Sequence, residues 1–278
     1  MTLHPWSGLF ALALTLGALG AILLQRRRGP AWRWWAAPTF VLGWLVGLAA
    51  VLTPLDTLGE DGSLSAHVAQ HMILGDLAAP LLLIGLPPAV QELAGRWYAQ
   101  AVRGGGRAAR SVRLALSPAG GLALWAVATY LWIAPPLHRL AIPDGFVHFL
   151  DHASFLAFGL LVWLAAFDFR RGPRVRDWES LKATLASCDL PWWGRHVYAM
   201  VSRLAMLPAV AVLWLGSTSA FYLSSAPPPG DATQRQDQVR AASMMLGFEI
   251  LLSGLAIVLA FIWVSVSEGR ARDRRRAV

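Results

Sequence analysis

The stretch LSAHVAQHMILGDLAAPLLLIGL, Leu64–Leu86, decides the class of this fold because it is long and almost entirely apolar. A helix of about 20 apolar residues crosses the roughly 30 Å hydrocarbon core of a bilayer. We therefore predict a transmembrane helix here. His67, His71 and Asp76 are ionisable, and ionisable residues within a span usually face the interior of a helix bundle or a water-filled cavity.

The rest of the chain repeats this apolar pattern. Of its 278 residues, 56% are hydrophobic and 14% are charged, whereas soluble domains carry about 25% charged residues. We predict an all-α polytopic membrane protein, a single domain of seven transmembrane helices. The predicted spans are Trp6–Leu24, Trp34–Leu52, Leu64–Leu86, Leu114–Ala134, Phe146–Phe167, Val197–Leu223 and Ala241–Val266.

The distribution of charge predicts the orientation. Arginines concentrate after the first, third and fifth predicted spans and in the C-terminal tail, whereas the opposite loops are mainly acidic. The positive-inside rule then places the N-terminus outside and the C-terminus in the cytoplasm. The net charge of +8 therefore indicates contact with a lipid bilayer, and we expect no nucleic-acid partner. The single cysteine, Cys188, excludes an intrachain disulfide and a CxxC metal motif.

Two histidine pairs predict a metal site near the outer face. The third, fifth and seventh spans all begin at that face, and each pair has the i, i+4 spacing that places both rings on one side of a helix. Neutral imidazole is the commonest protein metal ligand, and thioethers favour Cu(I), whereas carboxylates favour zinc or harder ions. Adjacent residues differ by about 100° on a helix, so one of the two adjacent methionines is expected to pack instead. The predicted ligands are His67, His71, His148, His152, Met244 and Met245.

Two acidic residues lie near these predicted ligands in the sequence. Asp76 lies nine residues after His67, about half a turn out of phase on an ideal helix, which suits a proton path or a partner helix. Glu249 lies one turn beyond Met245 and is expected to face the same interior. For both, protonation or pairing within the bundle is the alternative. His138, in the outer segment IAPPLHRLAIPDG, is expected to be solvated.

Three segments, SAHVAQHMILGDLAAPLLLIGLP, HFLDHASFLAFGLLVW and DQVRAASMM, resemble the CtaG family of integral membrane cytochrome c oxidase assembly factors. They occur in order from about Ser63 to the last span. The resemblance implies a copper-handling protein of the bacterial plasma membrane, with haem–copper oxidase subunits and an outer-side copper chaperone as partners. It marks both histidine pairs, one of the two methionines and Asp237. The chain departs from the family pattern at Asp76 and after Met245.

The preferred hypothesis is a non-enzymatic factor that binds Cu(I) between the third, fifth and seventh helices. One alternative is an intramembrane zinc hydrolase with three histidines and an Asp-activated water, although HVAQH lacks the glutamate of HExxH. Another is a haem b protein with one axial histidine from each pair. A transporter has less support, because no internal repeat is evident.

Overall fold

The structure is a computed structural model that describes residues 5–103, 105–141, 143–166, 192–215 and 231–276, and every regular element in these ranges is helical. In chain order the elements are α1 (Pro5–Arg28), α2 (Ala36–Leu52), α3 (Pro54–Glu60), α4 (Leu64–Met72), a π-helical turn (Ile73–Ala78), α5 (Ala79–Ile84), α6 (Pro88–Arg103), α7 (Arg107–Ala115), α8 (Pro118–Ile133), α9 (Pro135–Ala141), α10 (Gly145–Ala166), α11 (Trp192–Leu204), α12 (Leu207–Leu215) and α13 (Asp231–Arg276).

Several of the described helices have the length and apolar composition of membrane spans. Two shorter apolar helices, Ala36–Leu52 and Tyr198–Trp214, correspond to the second and sixth predicted spans. The all-helical class is confirmed for the described residues. The presence of seven spans, their orientation in the membrane and the single-domain organisation stay predictions. The four helices of full spanning length, at the first, third, fifth and seventh predicted spans, are Pro5–Arg28, Leu64–Ile84, Gly145–Ala166 and Arg235–Val258.

Two predicted spans are less regular than expected. The fourth is bent by 75° between α7 and α8, where the Ser117 hydroxyl accepts a hydrogen bond from the N–H of Gly120 at 3.0 Å and Pro118 occupies the first turn of α8. These are typical signals that begin a new helix. The sixth is interrupted at Ala205 and Met206, between α11 and α12, and its predicted end beyond Leu215 lies outside the described residues.

The predicted third span contains a π-helical turn that the apolar pattern did not predict. The N–H of Ala79 donates to the carbonyl of Leu74, five residues earlier. Pro80 follows Ala79 directly. In a regular α-helix, a proline ring clashes with the carbonyl of the residue four positions earlier. The turn therefore lies where α-helical bonding is already obstructed. The Trp163 indole N–H donates to the Gly75 carbonyl within the turn at 3.0 Å.

Helix α10 packs against the π-helical turn, α1, α5 and α8, and α13 packs along α4. The approach of α10 to the turn depends on two glycines. A Cβ atom added to Gly159 would lie 2.7 Å from the Gly75 carbonyl oxygen. Because only glycine permits such an approach of two backbones, this crossing fixes the position of α10 relative to α4, and these two helices carry the histidine pairs.

Candidate metal centre

The ends of two helices place the histidine pairs at a common level. At the start of α10, the Asp144 carboxylate accepts hydrogen bonds from the N–H groups of Phe146 at 2.9 Å and Val147 at 3.1 Å. This is N-cap geometry, and it fixes where α10 begins. His148 and His152 consequently lie in the first two turns of α10.

At the start of α4, Asp237 from α13 provides the corresponding cap. Its carboxylate accepts a hydrogen bond from the N–H of Leu64 at 2.6 Å and another from the Ser65 hydroxyl. Ser63 also caps the helix, accepting from the N–H of Ala66 at 3.3 Å. Asp237, which the family resemblance marked, therefore fixes the start of the helix that carries His67 and His71. It makes this contact from a separate helix.

The structure brings the four predicted histidines into one buried cluster. Each is at most 5% exposed. Within the pairs, the ring centroids lie 4.3 Å apart for His67 and His71 and 4.4 Å apart for His148 and His152. Between the helices, the rings of His67 and His148 lie 5.0 Å apart and those of His71 and His152 lie 5.4 Å apart. The two pairs therefore face each other across the α4–α10 interface.

A fifth histidine joins the cluster, and its expected exposure was wrong. His138 is 3% exposed, and its ring lies 5.0 Å from that of His67. The segment expected to be an outer loop forms α9, which packs against α8 and α10 and buries the ring. Burial, together with the neighbouring His67, lowers the pKa of His138 to about 3. The ring is therefore neutral near pH 7, as a metal ligand must be.

Asp151 is a second residue of the cluster that sequence reasoning missed. Its Oδ2 lies 3.0 Å from Nε2 of His67 and 3.1 Å from Nε2 of His71. A carboxylate in this position orients an imidazole and selects which ring nitrogen carries the proton. The signal was present in HFLDH, where an acidic residue directly precedes the second histidine in an apolar helix.

The donor atoms of the cluster fit a metal ion. His67, His71 and His152 each offer a ring nitrogen, and these three atoms lie within 4.8 Å of one another. Bonds of about 2.0–2.1 Å to a tetrahedral ion would hold such nitrogens roughly 3.4 Å apart, so a small inward movement is enough. Among the described residues, Nδ1 of His67 and Oδ1 of Asp151 are buried without a hydrogen-bond partner, and such orphaned atoms are costly unless a ligand satisfies them.

The two adjacent methionines face different surroundings. Met245 is 6% exposed and packs in the core between α4, α12 and α13, whereas Met244 is 39% exposed. This separation results from their 100° difference around the helix. Of the two methionines, only Met245 lines a cavity that His71 also lines. Metal binding by either methionine stays a prediction.

Asp76 and Glu249 belong to a buried ionic network centred on Arg203 of α11. Arg203 donates a hydrogen bond to Asp76, and its Nε lies 3.5 Å from Glu249 Oε2. Its guanidinium also lies 5.5 Å from the Trp125 ring centroid and 5.2 Å from that of Trp163. Pairing within the bundle is thus the alternative that holds for both acids. Sequence reasoning missed Arg203, because it lies inside a predicted span and so had no bearing on the charge distribution of the loops.

The π-helical turn explains how Asp76 reaches this interior. His71 and Asp76 both line one cavity although they are five residues apart. On a regular α-helix such residues differ by about 140°. The π-helical hydrogen bond spans five residues, so the turn brings the two positions towards the same face. The π-helical backbone therefore reduces the angular difference between His71 and Asp76 that a regular α-helix would impose.

Comparison with known proteins places this helical assembly in a family. The family model of the cytochrome c oxidase caa3 assembly factor (Caa3_CtaG) matches residues 18–267. The chain belongs to this family. No curated protein and no solved structure matches the chain.

Membership in Caa3_CtaG confirms the resemblance drawn from the three sequence segments. It also indicates a role in the assembly of cytochrome c oxidase. The matched range includes both histidine pairs, Asp151, Arg203 and Asp237, so the buried cluster and the ionic network are parts of the region that defines the family match.

Proposed function

We propose that this assembly factor binds copper at its histidine cluster, on the outer side of the bacterial plasma membrane, and delivers it to haem–copper oxidase subunits. The observation that carries the proposal is the convergence of nitrogens from His67, His71 and His152 within 4.8 Å in a buried site. An outer-side copper chaperone is the expected source of the metal. In this scheme copper is cargo, and the chain is a non-enzymatic factor.

The chemistry of the cluster supports a metal of intermediate hardness. Imidazole nitrogens suit copper and zinc, whereas calcium and magnesium prefer oxygen. His148 and His138 adjoin the three nitrogens and offer further imidazoles during entry or release. Asp151 keeps two of the rings oriented through its contacts to their Nε2 atoms. The role in oxidase assembly favours copper over zinc, since copper is what a haem–copper oxidase needs.

Metal analysis of detergent-purified protein from copper-replete cells tests this proposal. We expect at least one copper per chain in the wild type, and a decrease of one copper per chain in the His67→Ala/His152→Ala variant. Gln70→Ala is a matched control on the same helix, because Gln70 donates to Ala50 and Asp56 and makes no hydrogen bond to His67 or His152 among the described residues. The control is expected to retain the metal.

The other outcomes separate the competing functions. A copper content in the double variant equal to that of the wild type would refute the histidine site. Bound zinc with amidase activity on lipids would support the intramembrane hydrolase, and a Soret band in the absorbance spectrum would support the haem b protein. Neither zinc nor haem b is expected.

A further inference from the structure

The cavity that His71 and Asp76 line adjoins the histidine cluster, and three methionine side chains also line it. Its volume is about 20 Å³, above the roughly 10–15 Å³ that a single water molecule requires. Met72 of α4, Met206 at the break between α11 and α12, and Met245 of α13 all face it, together with His71. We propose that this cavity is a second, deeper Cu(I) site, with the three methionine sulfurs as its ligands.

The distribution of methionine supports a binding role rather than packing alone. The chain has six methionines, and three of them, from separate elements, meet at this one cavity. Methionine is flexible and normally fills irregular gaps in a core, yet here the three side chains leave a space open. Thioethers are soft ligands that select Cu(I) over harder divalent ions. Occupancy by a soft monovalent ion accounts for both the residue type and the remaining space.

The charges around the cavity also favour a monovalent cation. Asp76 and Glu249 line it, and Arg203 is the cation paired with both. Two carboxyl groups therefore face a single guanidinium in a buried setting, where unbalanced charge is costly. Glu249 Oε2 is buried and makes no hydrogen bond among the described residues. One further positive charge matches the second carboxyl group when that group is ionised, whereas a divalent ion would leave the network with a net positive charge.

His71 connects the two sites, because it belongs to the histidine cluster and also lines the deeper cavity. The His71 ring stacks on the Phe155 ring, with centroids 3.9 Å apart. This stacking holds the imidazole at a position between the two proposed sites. Copper that enters through the outer histidines has a direct route inward by exchange of ligands at this residue. The inference rests on the proposed function for its choice of copper, but its three methionine ligands and its test are separate from those of the histidine site.

Titration of detergent-purified wild-type protein with Cu(I), in competition with a chromophoric Cu(I) chelator, tests the second site. Ag(I) serves as a parallel probe that does not change oxidation state. We expect two Cu(I) per chain in the wild type. The Met72→Leu/Met206→Leu/Met245→Leu variant and the His67→Ala/His152→Ala variant are each expected to bind one. Met244→Leu is the matched control, because Met244 is exposed and does not line the cavity, and it is expected to bind two.

X-ray absorption identifies the ligands and does not depend on how well the methionine variant folds. Sulfur scatterers are expected around the copper of the wild type, and the copper of the histidine variant is expected to show a sulfur-dominated shell. A wild-type spectrum with only nitrogen and oxygen neighbours would overturn the deeper site while leaving the histidine site intact. Unchanged stoichiometry in a folded methionine variant would do the same. One sulfur-bound copper in both the wild type and the histidine variant would support the deeper site and refute the outer one.

Discussion

Replacing Arg203 by leucine is expected to destabilise the protein more than any surface change. Arg203 and Asp76 are each 2% exposed at their side chains, and Glu249 is 7% exposed. Removing one partner of a buried ion pair leaves the other charge uncompensated, which costs about 3–5 kcal/mol. The variant also loses cation–π contacts to Trp125 and Trp163, worth about 0.5–2 kcal/mol each and not simply additive.

Thermal unfolding in detergent, followed by tryptophan fluorescence or by loss of the monodisperse peak in gel filtration, measures this effect. For a chain of this size, 1 kcal/mol corresponds to about 2–4 °C, so a decrease in Tm of roughly 6–20 °C is expected. Arg96→Leu is the matched control. Arg96 contacts Glu92 at 2.8 Å on α6, but both side chains are more than 40% exposed, and such pairs contribute about 0–1 kcal/mol.

A compensating variant separates charge from packing. Arg203→Leu combined with Asp76→Asn and Glu249→Gln removes the ionic groups together, and it is expected to recover most of the lost Tm, because apolar or neutral replacements of a complete buried network are often well tolerated. If Arg203→Leu lowered the Tm no more than Arg96→Leu, the reasoning about a buried charge network would be refuted. If the compensated variant were as unstable as Arg203→Leu alone, packing rather than charge would be the cause.

Three further substitutions test the contacts around the cluster. Asp237→Asn removes a charge-assisted cap, in which the N–H of Leu64 donates at 2.6 Å, and is expected to cost about 1–3 kcal/mol of stability, measured as a lower Tm. Gly159→Ala places a Cβ atom 2.7 Å from the Gly75 carbonyl oxygen and is expected to lower the Tm by an amount equivalent to about 1–3 kcal/mol. Asp151→Asn is expected to weaken Cu(I) binding at the histidine cluster about 10–100-fold with unchanged stoichiometry, measured by chelator competition, because the carboxylate orients two of the rings.

For each of these three substitutions, one measured outcome would contradict the prediction. A Tm for Asp237→Asn equal to that of the wild type would mean that the cap is dispensable. A Gly159→Ala variant as stable as the wild type would show that the two helices can separate without loss. Complete loss of one copper in Asp151→Asn would assign the carboxylate as a ligand rather than an orienting group.

The sequence was informative wherever a local rule applied. The i, i+4 spacing identified both histidine pairs, and the apolar runs identified the helices that carry them. His138 was misjudged because its burial depends on how α9 packs against α8 and α10, a tertiary contact that composition does not show. Arg203 was missed for a related reason, since an isolated basic residue in a predicted span has meaning only when its partners, Asp76 and Glu249, are known.

Irregular backbone was the other source of error. The bend before α8 and the break at Met206 divide segments that hydropathy treats as continuous. Ser117 and Pro118 gave a local signal for the bend, and Pro208, in the first turn of α12, gave one for the break. The π-helical turn was not expected either, although Pro80 excludes one regular α-helical hydrogen bond and so gave a local signal for it.

The π-helical turn also has a consequence for how this protein can change over evolution. A π-helical turn is an α-helix that has accepted one additional residue. Deleting one residue after Asp76 within this turn would restore regular winding and leave the later part of the span in its present orientation, but Asp76 would then lie about 140° around the helix from His71. Asp76 would therefore turn away from Arg203, while the histidine rings kept their positions. A relative with a gap of one residue here would be expected to keep the histidine cluster and lose the acid, so the length of this turn distinguishes chains with an ionic network from chains without one.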